Sequence, residues 1–273
     1  LPAEIPTGFY YDKGNDCSTR PVPVETALRF REIDAGAEQT CGVTTDHELW
    51  CWGSIGVGNA AENGVSAAPV RIGAPVKFRS LAVSWYHACA IDTEGLGWCW
   101  GQNWTGALGA MTATYDQLQP VRIASDAPLT VVAVGLYHSC AVTKAGGALC
   151  WGRGSSGQLG DASMTQAQWT PVAVDGGVLF SAIAASSEST CAIERGTAAA
   201  WCWGENSSGE LGDGTLIDRS VPRRVLGGLS FGNIAMGVDQ YLTTELVQPL
   251  TYGASGGDVY VWGPLPRPLT FGE

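Results

Sequence analysis

WCWGENSSGELGDGT, residues 201–215, sets a cysteine between two tryptophans, adds a glycine, and runs into a loop of Gly, Ser, Asn and Asp. Read alone, the cysteine suggests a metal ligand and Asp213–Gly214 a calcium loop. The stretch is not unique, however. LWCWG occupies 49–53, WCWG 98–101, LCWG 149–152 and VWG 261–263. The closing glycines, at 53, 101, 152, 204 and 263, lie 48, 51, 52 and 59 residues apart. A period of this size implies a propeller, a solenoid or an array.

A second element recurs before each WG. FREIDAGAEQTCGV begins at 30, FRSLAVSWYHACAI at 78, LTVVAVGLYHSCAV at 129, FSAIAASSESTCAI at 180 and FGNIAMGVDQYLTT at 231. A third follows it: APVRI at 68–72, QPVRI at 119–123, TPVAV at 170–174 and SVPRRV at 220–225. Four short strands per repeat is the size of a propeller blade. In 49–53, Leu49, Cys51 and Gly53 face one way and Trp50 and Trp52 the other. Both faces are apolar or small, as in sheets stacked face to face. No segment has a helical period. The expectation is an all-β, five-hairpin propeller forming a single domain over 1–273.

Composition agrees. With 37 Gly, 11 Trp and 15% charged residues, the chain reads as folded and turn-rich. Its net charge of −11 and scattered Lys and Arg argue against nucleic acid as a partner. No apolar run reaches the roughly 18 residues of a membrane-spanning helix.

Metal binding, catalysis and disulfides all compete for the nine cysteines. Spacing separates them. Cys41 and Cys51, Cys89 and Cys99, Cys140 and Cys150, and Cys191 and Cys202 flank short hairpin signals, and no Cys-x-x-Cys occurs. Gly95 and Gly146 stand where a tight hairpin loop needs positive φ. Folding each hairpin about its centre sets the two cysteines opposite each other, within disulfide reach. The alternative is a pair of reduced core thiols. In the fifth repeat the aligned positions read Leu242 and Val261, so both cysteines are lost together. Four disulfides imply an oxidising setting: periplasm, cell surface or exterior. Cys17 is left over; an inert buried thiol and a bond to another chain both fit.

The 132–174 stretch, VAVGLYHSCAVTKAGGALCWGRGSSGQLGDASMTQAQWTPVAV, resembles the repeat of the regulator of chromosome condensation family. It is most similar to that family's secreted bacterial branch with paired cysteines. The resemblance extends over about residues 20–263 and implies a propeller. Family members are usually seven-bladed, whereas this chain shows five hairpins. DCSTRPVPV at 16–24 matches a missing half-repeat, so residues 1–29 are expected to complete the last blade and close a five-bladed ring. PLPRPLTFGE at 264–273 also resembles a repeat start and leaves a larger ring open. The family includes a secreted β-lactamase inhibitor, by analogy a precedent for binding. Its nuclear exchange-factor role conflicts with disulfides and an acidic chain.

Leu211 is expected to plug a blade junction, and Asp213–Gly214 to form a turn rather than a calcium loop. His87 and His138 precede their cysteines by two residues, where Gln39, Ser189 and Gln240 stand elsewhere. That interchange suggests hydrogen bonding at a blade rim. His47 and the Asp92/Glu94 pair read as solvated hairpin-tip residues. Asn103-Trp-Thr and Asn206-Ser-Ser match glycosylation acceptors. No catalytic motif, metal set or cofactor loop is present. The loops after WG diverge, and they carry Trp104, Tyr115 and Trp169. The segment 243–258, including Tyr252, reads as a long fifth hairpin tip. Rigid scaffolds with divergent aromatic loops suit binding. The expected function is a non-enzymatic partner for another protein, such as subunits of a membrane complex on its periplasmic face. The alternatives are a secreted carbohydrate-binding or adhesion module or an inhibitor, and, less favoured, a propeller enzyme using its central channel.

Overall fold

The structure is a computed structural model that describes residues 26–37, 39–54, 65–112, 114–237, 240–242, 245–247, 251–255 and 258–263. Among these there is no helix. Blade one is β1 (Phe30–Ala35), β2 (Gln39–Thr44), β3 (Leu49–Ser54) and β4 (Val65–Ile72). Blade two is β5 (Phe78–Val83), β6 (His87–Asp92), β7 (Gly97–Gln102) and β8 (Asp116–Arg122). Blade three is β9 (Leu129–Val134), β10 (His138–Thr143), β11 (Ala148–Arg153) and β12 (Ala167–Ala173). Blade four is β13 (Phe180–Ala185), β14 (Ser189–Glu194), β15 (Ala200–Gly204) and β16 (Arg219–Arg224). In each, sequential strands pair antiparallel. Blade five has β17 (Asn233–Met236) paired to β20 (Thr251–Ser255) and β21 (Asp258–Trp262). A separate hairpin, β18 (Gln240–Leu242) with β19 (Glu245–Val247), intervenes.

First strands of consecutive blades approach one another, so they line the axis and the fourth strands form the rim. Pro69, Pro120, Pro171 and Pro222 lie in these rim strands. Proline cannot donate to a ladder, so it is tolerated at an edge and discourages another chain from pairing there.

The four cysteine pairs are disulfides: Cys41–Cys51, Cys89–Cys99, Cys140–Cys150 and Cys191–Cys202. Each joins directly opposed residues of a blade's second and third strands. Each lies on the face that meets the next blade. Cys41 and Cys51 pack with Phe78, Leu81 and Trp100, and Cys191 and Cys202 with Phe231 and Ile234.

The other half of each junction is a latch. Leu108, Leu159 and Leu211, wholly buried, plug three junctions from the loop after WG. The indole N–H of Trp151 donates to the Ala107 carbonyl at 2.8 Å, and that of Trp203 to the Gln158 carbonyl at 2.9 Å. The tryptophan lies flat against the loop's glycine. A Cβ on Gly109 would stand 2.8 Å from Trp151 Nε1, and one on Gly160 2.7 Å from Trp203 Nε1. Both glycines hold positive φ (64° and 69°), so the Leu–Gly step is required by backbone and by space together.

His87 and His138 are not at a solvent rim; both are completely buried at junctions. His87 Nε2 lies 2.7 Å from Ser139 Oγ, which itself donates to the Ala107 carbonyl at 2.9 Å. His138 Nε2 lies 2.8 Å from Thr190 Oγ1, which donates to the Gln158 carbonyl at 2.9 Å. With the hydroxyl hydrogen committed, each ring must donate from Nε2, as a neutral imidazole. Gln39 serves similarly, its amide donating to the Ser84 carbonyl at 3.1 Å. Hairpin-tip residues are also held. His47 Nδ1 donates to the Phe78 carbonyl at 2.8 Å. Asp92 is buried and accepts from the Glu94 and Leu96 N–H groups and the Trp98 indole. The expectation of solvation fails for Asp92, which its own turn clips, while Glu94 is exposed and His47 is half-buried against the adjacent blade.

The fifth repeat differs from expectation. Tyr252, not Leu242, opposes Val261 at the disulfide position. The extra residues lie between β17 and β20, and the hairpin tip between β20 and β21 is only residues 256–257. The outward face of blade five, with Tyr252, Val259 and Val261, is exposed. So is the corresponding end of blade one: Ile33 is 54% exposed, against 6% for Leu81, Ile183 and Ile234 at the same place in other blades. Of residues 1–29, assigned a closing role above, 1–25 lie outside the described residues, Cys17 among them, as do 264–273.

Two predictions follow from the junctions. Gly176 also has positive φ (89°), but a Cβ there would meet nothing. Gly160→Ala should therefore cost about 1–3 kcal/mol more than Gly176→Ala, read by urea denaturation. Burial depresses His87 to about 4. Burial, then the neighbouring His87, depresses His138 to about 3. The unfolded chain, titrating near 6.5, binds protons first, so stability falls as pH drops from about 6.5 toward those values. A His87→Gln/His138→Gln double variant should flatten that slope by up to about 1.4 kcal/mol per pH unit for each ring. An unchanged slope would contradict the buried neutral assignment.

Candidate binding surface

Because the strands alternate in direction, the loops joining first to second strands and third to fourth strands leave the propeller at the same end. The first set lies near the axis and the second toward the rim. In blades two, three and four one backbone bond ties the sets together. The residue after WG donates to the residue three positions before the second strand's cysteine: Gln102 N–H to the Tyr86 carbonyl, Arg153 to Tyr137 and Glu205 to Glu188, each at 2.9 Å. These three blades thus present the side-chain pairs Tyr86/Gln102, Tyr137/Arg153 and Glu188/Glu205.

These pairs line up across three blades. Tyr86 stacks on Tyr137 with centroids 5.4 Å apart and planes inclined by 20°. Trp104 lies 6.3 Å from Tyr86, and Trp85 6.2 Å from it. Arg153 sits 5.6 Å over the Tyr137 ring and pairs with Glu188 at 2.8 Å. Glu188 also accepts from Ser156 Oγ at 2.5 Å. The row runs from exposed indole through stacked phenols and a guanidinium to a carboxylate. Burial, then a hydrogen bond with Tyr86, raises the Tyr137 phenol. Glu205 is also raised, chiefly by burial and further by Glu188, Glu210 and Asp218. Blade four thus brings Glu188, Glu205, Glu210 and Asp218 close together at this end, Glu188 being paired with Arg153.

Toward the rim, Tyr115 and Trp169 meet across the blade two–blade three boundary. With Met111, Thr112 and Thr114 they line an open groove of about 280 Å³. Met111 and Tyr115 are 78% and 64% exposed. Met164, Leu216 and Ile217 extend the apolar surface over blades three and four.

Of the residues singled out in the sequence, Trp104 joins the aromatic row, and Tyr115 and Trp169 share the groove. Tyr252 belongs to neither; it lies on the face of blade five. The inserted β18–β19 hairpin connects a first strand to a second, so it leaves blade five at this same end rather than at the opposite one. Asn103 and Asn206 are wholly buried and used inside their loops. Asn103 Nδ2 donates to the Ala110 carbonyl at 3.1 Å, and Asn206 Oδ1 accepts from the Leu211 N–H at 3.0 Å. Neither is available for glycosylation. Trp85, Tyr86, Tyr137, Arg153 and Glu188 escaped the sequence reading, which dwelt on the histidines and cysteines beside them. The usable signal was divergence within otherwise matching repeats, at the position after WG and at the position before the histidine. Among the described residues no three His, Cys, Asp or Glu side chains gather as metal ligands.

Comparison with known proteins bears on the repeat. Profiles described as the regulator of chromosome condensation repeat match residues 94–142 and 199–239, and a second such profile matches 130–158. The ultraviolet-B receptor UVR8 of Arabidopsis thaliana is 33% identical over 142 residues, 50% of this chain and 32% of the receptor. The probable E3 ubiquitin-protein ligase HERC4 of Rattus norvegicus is 35% identical over 104 residues, 37% of this chain and 10% of the ligase. The chain thus spans a tenth to a third of these relatives. Among solved structures, yeast RCC1 (Prp20) bound to Kap60 superposes with a TM-score of 0.73 at 17% identity, covering 87% of this chain and 56% of that one. Human WBSCR16 gives 0.70 at 20%, covering 79% and 57%. Residues 94–158 and 199–239 of the chain thus match the regulator of chromosome condensation repeat, on a propeller fold that the chain shares with these solved structures.

Proposed function

We propose that this chain is a non-enzymatic propeller that binds another protein through the end bearing the aromatic row. The observation that carries this reading is the continuous stack Trp104–Tyr86–Tyr137–Arg153, held at a surface by backbone bonds to rigid blades. Aromatic and arginine side chains dominate the energetics of protein interfaces, because they offer large area at small entropic cost. Yeast RCC1, whose fold this chain shares, was solved bound to Kap60. The buried histidines are engaged in blade-to-blade hydrogen bonds, so they are not free to act as general bases in a cleft. Four disulfides support an oxidising compartment: the periplasm, the cell surface or the exterior. A role as accessory subunit on the periplasmic face of a bacterial membrane complex fits that setting, as does a secreted inhibitor. A second reading, a carbohydrate-binding or adhesion module, is favoured only by the groove of Tyr115 and Trp169 beside two threonines.

The test is position-resolved photo-crosslinking in the host's cell envelope. A benzophenone side chain is placed at Trp104 or Tyr115, and at Lys144 on the opposite end as a control. Protein binding by this end predicts a discrete adduct from Trp104 that is absent from Lys144. Equal labelling from both ends, or none, overturns it. Capture of glycan from Tyr115 alone selects the second reading.

A further inference from the structure

The rim groove between blades two and three differs from its counterpart one blade further on. Gly106 holds positive φ (80°) and lies against β12, where a Cβ on it would stand 2.9 Å from Trp169 Cα. Gly157 holds positive φ (81°) and lies in the same way against β16, where a Cβ would stand 2.8 Å from Ser220 Cα. Trp169 and Ser220 are therefore equivalent positions, each brought to the edge of the preceding blade's loop. An indole occupies the first boundary and a hydroxymethyl group the second. Tyr115 joins the indole, so two aromatic rings share one groove. Tyr115 and Met111 remain exposed, which leaves apolar surface for an occupant to remove from water.

The polar atoms of the groove have a bias of their own. Thr112 Oγ1 donates to the Thr114 carbonyl at 2.7 Å and accepts from Asn103 Nδ2 at 3.0 Å. Thr114 Oγ1 donates to the Asp116 carbonyl at 3.0 Å and accepts from Gln117 Nε2 at 2.7 Å. Both hydroxyl hydrogens are committed, and each oxygen keeps one lone pair. The threonines thus offer acceptors and call for a ligand that brings donors. None of the lining side chains is charged. The exposed Asp116 beside them opposes an anion. A volume of about 280 Å³ is small for a ligand pocket and suits one ring. A neutral ring with an apolar C–H face and hydroxyl donors at its edge meets all of these conditions.

We infer that this groove is a subsite for one neutral pyranose of a glycan, its C–H face laid on Tyr115 and Trp169 and its hydroxyls donating to Thr112 and Thr114. The inference rests on the glycan reading of this groove and gives it a ligand class; it uses no residue of the aromatic row. A uronic or sialic acid finds no cation among the lining residues. An apolar peptide side chain leaves the threonine oxygens unmatched.

The probes are the methyl β-glycosides of glucose, galactose, mannose and N-acetylglucosamine. Methyl β-glucuronide is the charged counterpart and cyclohexanol the apolar ring. Binding is read on the intact disulfide-bonded protein from the indole N–H resonance of Trp169. At least one neutral glycoside should shift it saturably, with an affinity in the millimolar range and about fivefold or more tighter than the glucuronide or cyclohexanol. Tyr115→Ala should weaken that binding by about fivefold or more, and Thr114→Val by about threefold or more. The Trp151 and Trp203 indole signals should stay in place in both variants, which shows that the blade junctions are intact. No saturable shift with any neutral glycoside overturns the assignment. So does equal binding of the glucuronide or of cyclohexanol, or insensitivity to Tyr115→Ala. Each of these could occur while crosslinking from Tyr115 still captures glycan, so the two failures are distinguishable.

Discussion

The architecture depends on one contact, repeated: the second tryptophan of one blade laid against a glycine in the preceding blade's loop. Trp151 on Gly109 and Trp203 on Gly160 each combine full burial with an indole hydrogen bond to the loop's carbonyl. The same carbonyls accept from Ser139 and Thr190, which in turn accept from the buried histidines. A single backbone oxygen thus gathers a junction's polar demands. The Trp151 and Trp203 indoles, the Ser139 and Thr190 hydroxyls and the Nε2 groups of His87 and His138 can therefore be buried together, because each of these groups has a partner, whereas His138 Nδ1 is left without one. The leucine immediately before the latching glycine fills the remaining space, packed in one cluster with a disulfide: Leu108 with Cys89 and Cys99, and Leu159 with Cys140 and Cys150.

That rigidity explains where variation is tolerated. A blade's junction faces cannot change without disturbing a neighbour, but its loop ends answer only to their own turn geometry. Asp92, Asn103 and Asn206 show how those turns are maintained from within, by buried side chains that bond their own loop's backbone. The residues between such anchors are free to diverge. In blades two, three and four they have become a tyrosine with a glutamine, a tyrosine with an arginine, and two glutamates. The chemistry of the surface thus changes from aromatic to acidic over three blades, while the backbone beneath it repeats.

The candidate surface is accordingly a product of register. Tyr86 and Tyr137 are 51 positions apart in the chain but stack because equivalent loops are set side by side by the junctions. Arg153 reaches Tyr137 and Glu188 for the same reason: it follows WG in its own blade and stands between the first-to-second-strand loops of two blades. The inserted β18–β19 hairpin leaves at this end because it connects a first strand to a second, an assignment that needed strand pairing rather than alignment.

By itself, the sequence determined what is periodic. The WG spacing, the paired cysteines and the alternating Trp and Cys faces pointed to stacked four-stranded sheets and set the cysteines within disulfide reach across the hairpins, because period-two alternation and a fixed repeat leave few other arrangements. It also located Leu211 and the turn glycines. It misjudged whatever depended on a neighbouring blade. His87 and His138 looked like rim residues because their partners, Ser139 and Thr190, lie one repeat away. His47 is half-buried rather than fully solvated because the Phe78 carbonyl it meets belongs to blade two. Alignment alone puts Leu242 at the cysteine position, whereas strand pairing puts Tyr252 there, because the extra residues lie between β17 and β20. Tertiary structure decided these points, since side-chain partners across a blade junction are about 50 residues apart and follow from packing, which no local pattern encodes.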